Sequence, residues 1–144
     1  MGCACRPGSI PQRWHVTGYL LDTNTALLAL TTPERLSNRV RKAILTGPNV
    51  LSVVAYWEVL LKAMKGALDV GDPRAWWLDA LEQLAAGALA LRSEHVGEVY
   101  TLPPIHKDPF DRVLIAQAIV EDLTLLTTDD ALPGYASQRL RVLS

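Results

Sequence analysis

Short apolar runs alternate with helix-patterned stretches along most of the chain, and this alternation constrains the fold more than any other feature of the sequence. Tyr19-Leu20-Leu21, Val50 to Val53, Ala88 to Leu91, Leu123 to Leu126 and Leu140 to Leu143 read as strands. Between them, helical patterns cover Thr23 to Leu30, a basic stretch from Thr32-Pro33 towards Gly47-Pro48, Ala55 to Lys65, Pro73 to Ala86, Glu94 to Thr101 and the segment from Asp108-Pro109 to Glu121. Proline at a first helical position marks a start, and glycine just past an end marks a stop. Strands separated by helices predict an α/β fold, a parallel sheet covered on both faces. Right-handed crossovers then gather the strand C-termini on one edge, where ligands of such folds bind.

The chain has 144 residues, enough for one domain, and half of them are hydrophobic. Residues 1–18 read as a flexible leader and 19–144 as the domain. The leader holds both cysteines, Cys3 and Cys5, which are too close for an unstrained bridge and too few for a disulfide framework. It has no secretory apolar core, and no run in the chain reaches transmembrane length, so no membrane association and a cytoplasmic location are expected. Lys and Arg total 14 against 15 for Asp and Glu, a net charge of −1. A protein that grips nucleic acid by bulk positive charge is therefore excluded, whereas one that meets phosphate at a metal site is not.

Acidic residues fall at the element junctions. Asp22 follows the first strand, Glu58 lies in the first turns of the helix after the second, and Asp129 follows the Leu123 to Leu126 strand. Connectivity places these at the C-terminal edge. Asp111, in a helix start, is expected at the opposite edge unless the proline-containing loop from Leu102 to Lys107 carries it across. Converging carboxylates raise one another's pKa, and a divalent cation removes that conflict. Oxygen-only ligands suit Mg²⁺ or Mn²⁺, and such a metal can activate water for phosphodiester cleavage. Each acid also has a plainer role: a helix cap for Asp22, an i,i+4 pair with Lys62 for Glu58, a helix-dipole partner for Asp111 and a turn residue for Asp129 or Asp130. Spacing alone leaves both readings open.

At these residues the sequence resembles the PIN-domain family, and more closely its VapC-type toxin branch. The resemblance is carried by Tyr19-Leu20-Leu21-Asp22-Thr23-Asn24, by Trp57-Glu58-Val59 with Lys62 and Gly66, by His106-Lys107-Asp108-Pro109-Phe110-Asp111-Arg112 with Leu114 to Ala118, and by Leu125-Leu126-Thr127-Thr128-Asp129. It implies a PIN-like three-layer α/β/α fold around a central parallel sheet of about five strands. It also implies Mg²⁺ or Mn²⁺ at Asp22, Glu58, Asp111 and Asp129 as metal ligands and catalytic residues, and cleavage of RNA by a type II toxin held by a small antitoxin and forming a homodimer. Thr127, Thr128 and Asn24 are expected to orient ligands or water, and Lys62, Arg112, His106 and Lys107 are candidates for phosphate contacts, with surface charge the plainer role for Lys107 and a structural one for His106. Asn24 stands where relatives often carry histidine, and Ala55 where this branch often has serine. Tyr56, or one of the adjacent Trp76 and Trp77, is a candidate for an interface, with a wide buried helix face as the alternative.

Competing assignments on similar sheets are a receiver domain, which needs an acidic pair after the first strand, and a dehalogenase-type phosphatase, which needs Asp-x-Asp. Asp22-Thr23-Asn24 satisfies neither. A PIN nuclease acting on other RNA or on DNA, and a silent PIN-like binding module, remain the alternatives within the family.

Overall fold

A computed structural model of the protein describes residues 18–104, 108–137 and 139–144. Residues 1–17 of the leader, with Cys3 and Cys5, and also His106 and Lys107, lie outside the described residues. Five strands, β1 (Tyr19–Leu21), β2 (Asn49–Ser52), β3 (Ala86–Leu89), β4 (Thr124–Leu126) and β5 (Arg141–Leu143), form one sheet in the order β3-β2-β1-β4-β5, and every pairing is parallel. Six α-helices connect them: α1 (Thr23–Thr31), α2 (Asn38–Thr46), α3 (Val53–Met64), α4 (Pro73–Gln83), α5 (Ser93–Glu98) and α6 (Pro109–Glu121).

Because successive strand side chains point to opposite faces, each central leucine or valine pair divides between two cores. Leu20, Val50 and Leu125 enter one, with Val54 from α3, Leu114, Ile115 and Ala118 from α6, and Leu132 and Tyr135. Leu21, Leu51 and Leu126 enter the other, with Ala26 from α1, Val40 and Ala43 from α2, and Ala80 and Leu84 beside α4. The result is a three-layer α/β/α arrangement whose sheet is buried on both faces, which is why its strands read as continuous apolar runs rather than as an alternation.

Three expectations shift. The basic stretch after Thr32 is not one helix: a 3-10 turn covers Pro33–Arg35, Leu36 is extended, and Ser37 then caps α2 by accepting the Val40 N–H at 3.2 Å. The third strand begins two residues earlier than its apolar pattern, at Ala86, because its register follows Asn49 to Ser52 rather than hydropathy. The helix expected from Glu94 to Thr101 ends at Glu98 and tightens into a 3-10 turn at Val99–Thr101.

Asp111 also needs a correction. Helix α6 leads through Asp122 and Leu123 into the start of β4, so it runs antiparallel to the strands. Its first turn therefore lies at the C-terminal edge, as a helix that leads into a strand requires. Trp57 and Phe110 meet edge to face there, ring centroids 5.2 Å apart, and fasten the start of α6 to α3.

Candidate active site at the sheet edge

β1 and β4 pair with Leu21 opposite Leu126, so the next residues, Asp22 and Thr127, emerge side by side at the C-terminal edge. The Asp22 N–H donates to the Leu126 carbonyl at 3.0 Å. One carboxylate oxygen of Asp22 caps α1 by accepting the Thr25 N–H at 2.8 Å, and the other accepts the Thr127 hydroxyl at 2.5 Å. Thr127 Oγ1 in turn accepts the Asp129 N–H at 2.9 Å. The capping role and the edge position of Asp22 are thus two aspects of one geometry.

Burial pushes the Asp22 carboxyl above the usual range. The Thr127 and Thr25 hydrogen bonds oppose that shift, and the charge of Asp129 adds to it. Asp22 is 4% exposed and has no cationic partner among the described residues.

Glu58, buried in the second turn of α3, accepts the Thr23 hydroxyl at 2.6 Å through Oε1 and pairs with Lys62 Nζ at 2.9 Å through Oε2. Thr23 directly follows Asp22, so this hydrogen bond ties the Glu58 carboxylate to the residue beside the Asp22 cap. Asp129 is half-buried, and its Oδ1 accepts the Ala131 N–H at 2.9 Å. Asp111 is half-buried in the first turn of α6, one residue after Phe110. The exposed Asn24 donates to Thr128 Oγ1 at 2.8 Å, bridging α1 to the segment after β4.

The Arg112 guanidinium donates to the Pro103 carbonyl at 3.1 Å and reaches the Val99 carbonyl and the Tyr135 hydroxyl, each at 3.5 Å. These bonds tie it to the segment before α6. Trp77 stacks on Tyr56, centroids 4.9 Å apart and planes 6° from parallel, and both Trp76 and Trp77 pack on the α4 side of the core.

Sequence reasoning missed Thr23 and Thr25. Both are buried polar residues in the first turn of α1; Thr25 also donates through its hydroxyl to the Leu126 carbonyl at 3.3 Å. The available signal was the Thr-x-Thr pair directly after an aspartate cap.

The donors at this edge are all oxygens, and a buried carboxylate without a cation of its own matches a hard divalent ion. The acids do not form a closed cage: among the described residues no three Asp, Glu, His or Cys side chains group closely enough to hold an ion. Glu58 and Asp129 are engaged instead by Lys62 and by the Ala131 N–H.

Residues 19–137 match the family model described as PIN domain. No curated protein matches the chain by sequence. Among solved structures, a chain of VapBC2 from Rickettsia felis, bound to a DNA fragment from its promoter, is 15% identical with a TM-score of 0.63, over 87% of this chain and 96% of that one. A chain of FitAcB from Neisseria gonorrhoeae is 21% identical with a TM-score of 0.57, over 88% and 96%. A chain of VapBC-5 from Mycobacterium tuberculosis, of the VapBC family of toxin-antitoxin systems, is 18% identical with a TM-score of 0.58, over 89% and 98%. At these identities the likeness is one of fold.

Proposed function

The chain belongs to the PIN-domain family, and on that premise we propose that it is a Mg²⁺- or Mn²⁺-dependent endoribonuclease, the toxin half of a type II toxin–antitoxin pair. PIN domains are nucleases and generally use divalent metal ions. The observation that carries the reading here is Asp22: a carboxylate buried at the ligand-binding edge of a parallel sheet, with Asp129 as a charged neighbour and no cation beside it among the described residues.

In this reading Asp22 and Asp111 are the principal ligands, and Glu58 and Asp129 complete the set. Bound among them, the ion supplies an activated water and charge for the departing oxygen of the phosphodiester. Thr127 holds Asp22 in one orientation and Thr23 holds Glu58, so that neither carboxylate has to be ordered when the ion arrives. Lys62, its side chain 50% exposed, pairs with Glu58 and is a cation placed to meet a phosphate at this edge. Asn24 and Thr128 present a polar rim beside it.

A small antitoxin and a second copy of the chain are the proposed protein partners. The exposed Trp57 and Met64 on α3 and Leu78 on α4 offer apolar contact for them. Among the described residues no helix is long and apolar enough to cross a membrane, and a cytoplasmic setting is proposed.

The test is cleavage of RNA by the purified protein with Mg²⁺ or Mn²⁺, with EDTA, and with Asp22→Asn. Cleavage that needs the ion and disappears in the variant is expected. Cleavage unaffected by EDTA or by the variant refutes the metal mechanism; cleavage of DNA alone moves the substrate assignment. Binding of RNA without cleavage leaves only a binding module.

A further inference from the structure

The chain is nearly neutral overall, but its positive charge is unevenly neutralised. Lys62, Arg74, Arg92, Arg139 and Arg141 each pair with a carboxylate side chain. Arg35, Arg39, Arg41 and Lys42 pair with none among the described residues, and the only acid between Pro33 and Thr46 is Glu34. Arg35, Arg39 and Lys42 are exposed. Arg39 and Lys42 are three residues apart on α2 and share a flank. Arg41 is half-buried and turned to Asn38, with which it hydrogen-bonds.

This flank belongs to the same sheet edge as Asp22. The Arg39 guanidinium donates to the main-chain oxygen of Ser144 at 3.3 Å, directly after β5. The residue before Ser144, Leu143, accepts the Thr127 N–H at 3.0 Å, and Thr127 bonds to Asp22. β4 lies between β1 and β5, so the end of β5, which the Arg39 guanidinium reaches, is two strand spacings from β1, about 10 Å along the edge. Exposed cations without a side-chain carboxylate partner, beside a phosphodiester-cleaving centre, attract the charge that such a substrate carries on either side of the bond to be cut.

We propose that Arg35, Arg39 and Lys42 form a backbone-binding track that holds the flanking phosphates of single-stranded RNA as it enters the acidic edge. The track rests on the nuclease reading for its substrate, but it is measurable without catalysis. Phosphate contacts position a strand without reading its bases, so the track supplies grip and direction, and sequence preference has to come from elsewhere.

The experiment uses the full chain and a short single-stranded RNA. Binding is followed across a salt series with Asp22→Asn present to suppress cleavage, comparing Arg35→Ala/Arg39→Ala/Lys42→Ala with its parent. Three lost contacts at about 0.7 each predict that the slope of log affinity against log salt falls by about 2. In the cleaving protein the triple variant is expected to raise KM several-fold with kcat little changed. Arg35→Lys/Arg39→Lys, which keeps the charge, is expected to restore most of the binding and rules out misfolding as the cause. An unchanged salt slope and KM overturn the track while leaving the nuclease reading intact, as does a triple variant that binds RNA normally but no longer holds a protein partner. Salt-dependent binding through these residues with no cleavage in any divalent ion has the opposite meaning: the track stands and the nuclease reading falls.

Discussion

Asp22 keeps a carboxylate where water scarcely reaches, and its surroundings determine how the fold responds to acid. Its folded-state pKa lies above the unfolded value of 3.8, so the fold favours the protonated form. That contribution is fully present below the unfolded value and is lost as pH rises through the raised folded one. In EDTA, Asp22→Asn is therefore expected to melt above the wild type at pH 7, with the gap closing as pH falls towards 4. Asparagine can still accept the Thr25 N–H, and the Thr127 hydroxyl can turn to accept from its amide. Thermal melts across pH, with and without Mg²⁺, check this: the ion should raise the wild-type midpoint and leave the variant's unchanged. Thr127→Val removes the donor to Asp22 and the acceptor for the Asp129 N–H. Leaving such buried groups unpaired costs about 1–3 kcal/mol, and loss of an orienting partner is expected to weaken metal binding roughly 10- to 100-fold. Isothermal titration with Mn²⁺ gives the second number directly.

Among the elements, α6 has the greatest influence on the edge, because its first turn carries Asp111 beside a cap and an aromatic contact. Asp108 caps it by accepting the Phe110 N–H at 2.9 Å, and Phe110 meets Trp57. Phe110→Ala is expected to cost about 2 kcal/mol, below the fully buried range because the ring is half-buried. It should also lower activity by more than its stability loss explains; urea melts paired with rates on the folded protein separate the two. At its other end α6 carries Glu121, 6% exposed, which accepts from Arg92 and, at 2.8 Å, from His95. Glu121→Ala leaves Arg92 with only Glu94 and a buried imidazole N–H without its acceptor, and a loss of about 3 kcal/mol is expected in the same melts. Sequence pattern located these elements well where caps and prolines mark them, as at Asp108-Pro109 and Asp72-Pro73. It failed where tertiary contacts decide. Ser37 interrupts the basic stretch because Leu36 turns inward to the core, and β3 takes its limits from its neighbour β2 rather than from its own apolar residues.

For the molecule as a whole, the parallel α/β/α arrangement was legible because a sheet buried on both faces leaves an unmistakable rhythm of apolar runs. The edge position of Asp22, Glu58 and Asp129 followed from connectivity alone. The roles of Thr23 and Thr25 did not, since each depends on a partner distant in the chain. Strand order has one more consequence. The central strand β1 is made first, yet β4, which completes its edge, belongs to the last part of the chain, and the Asp22–Thr127 contact spans 105 residues. A chain emerging from the ribosome therefore carries an incomplete edge until the segment after Glu121 has joined β1. In the nuclease reading, nothing can be cut before that strand is in place.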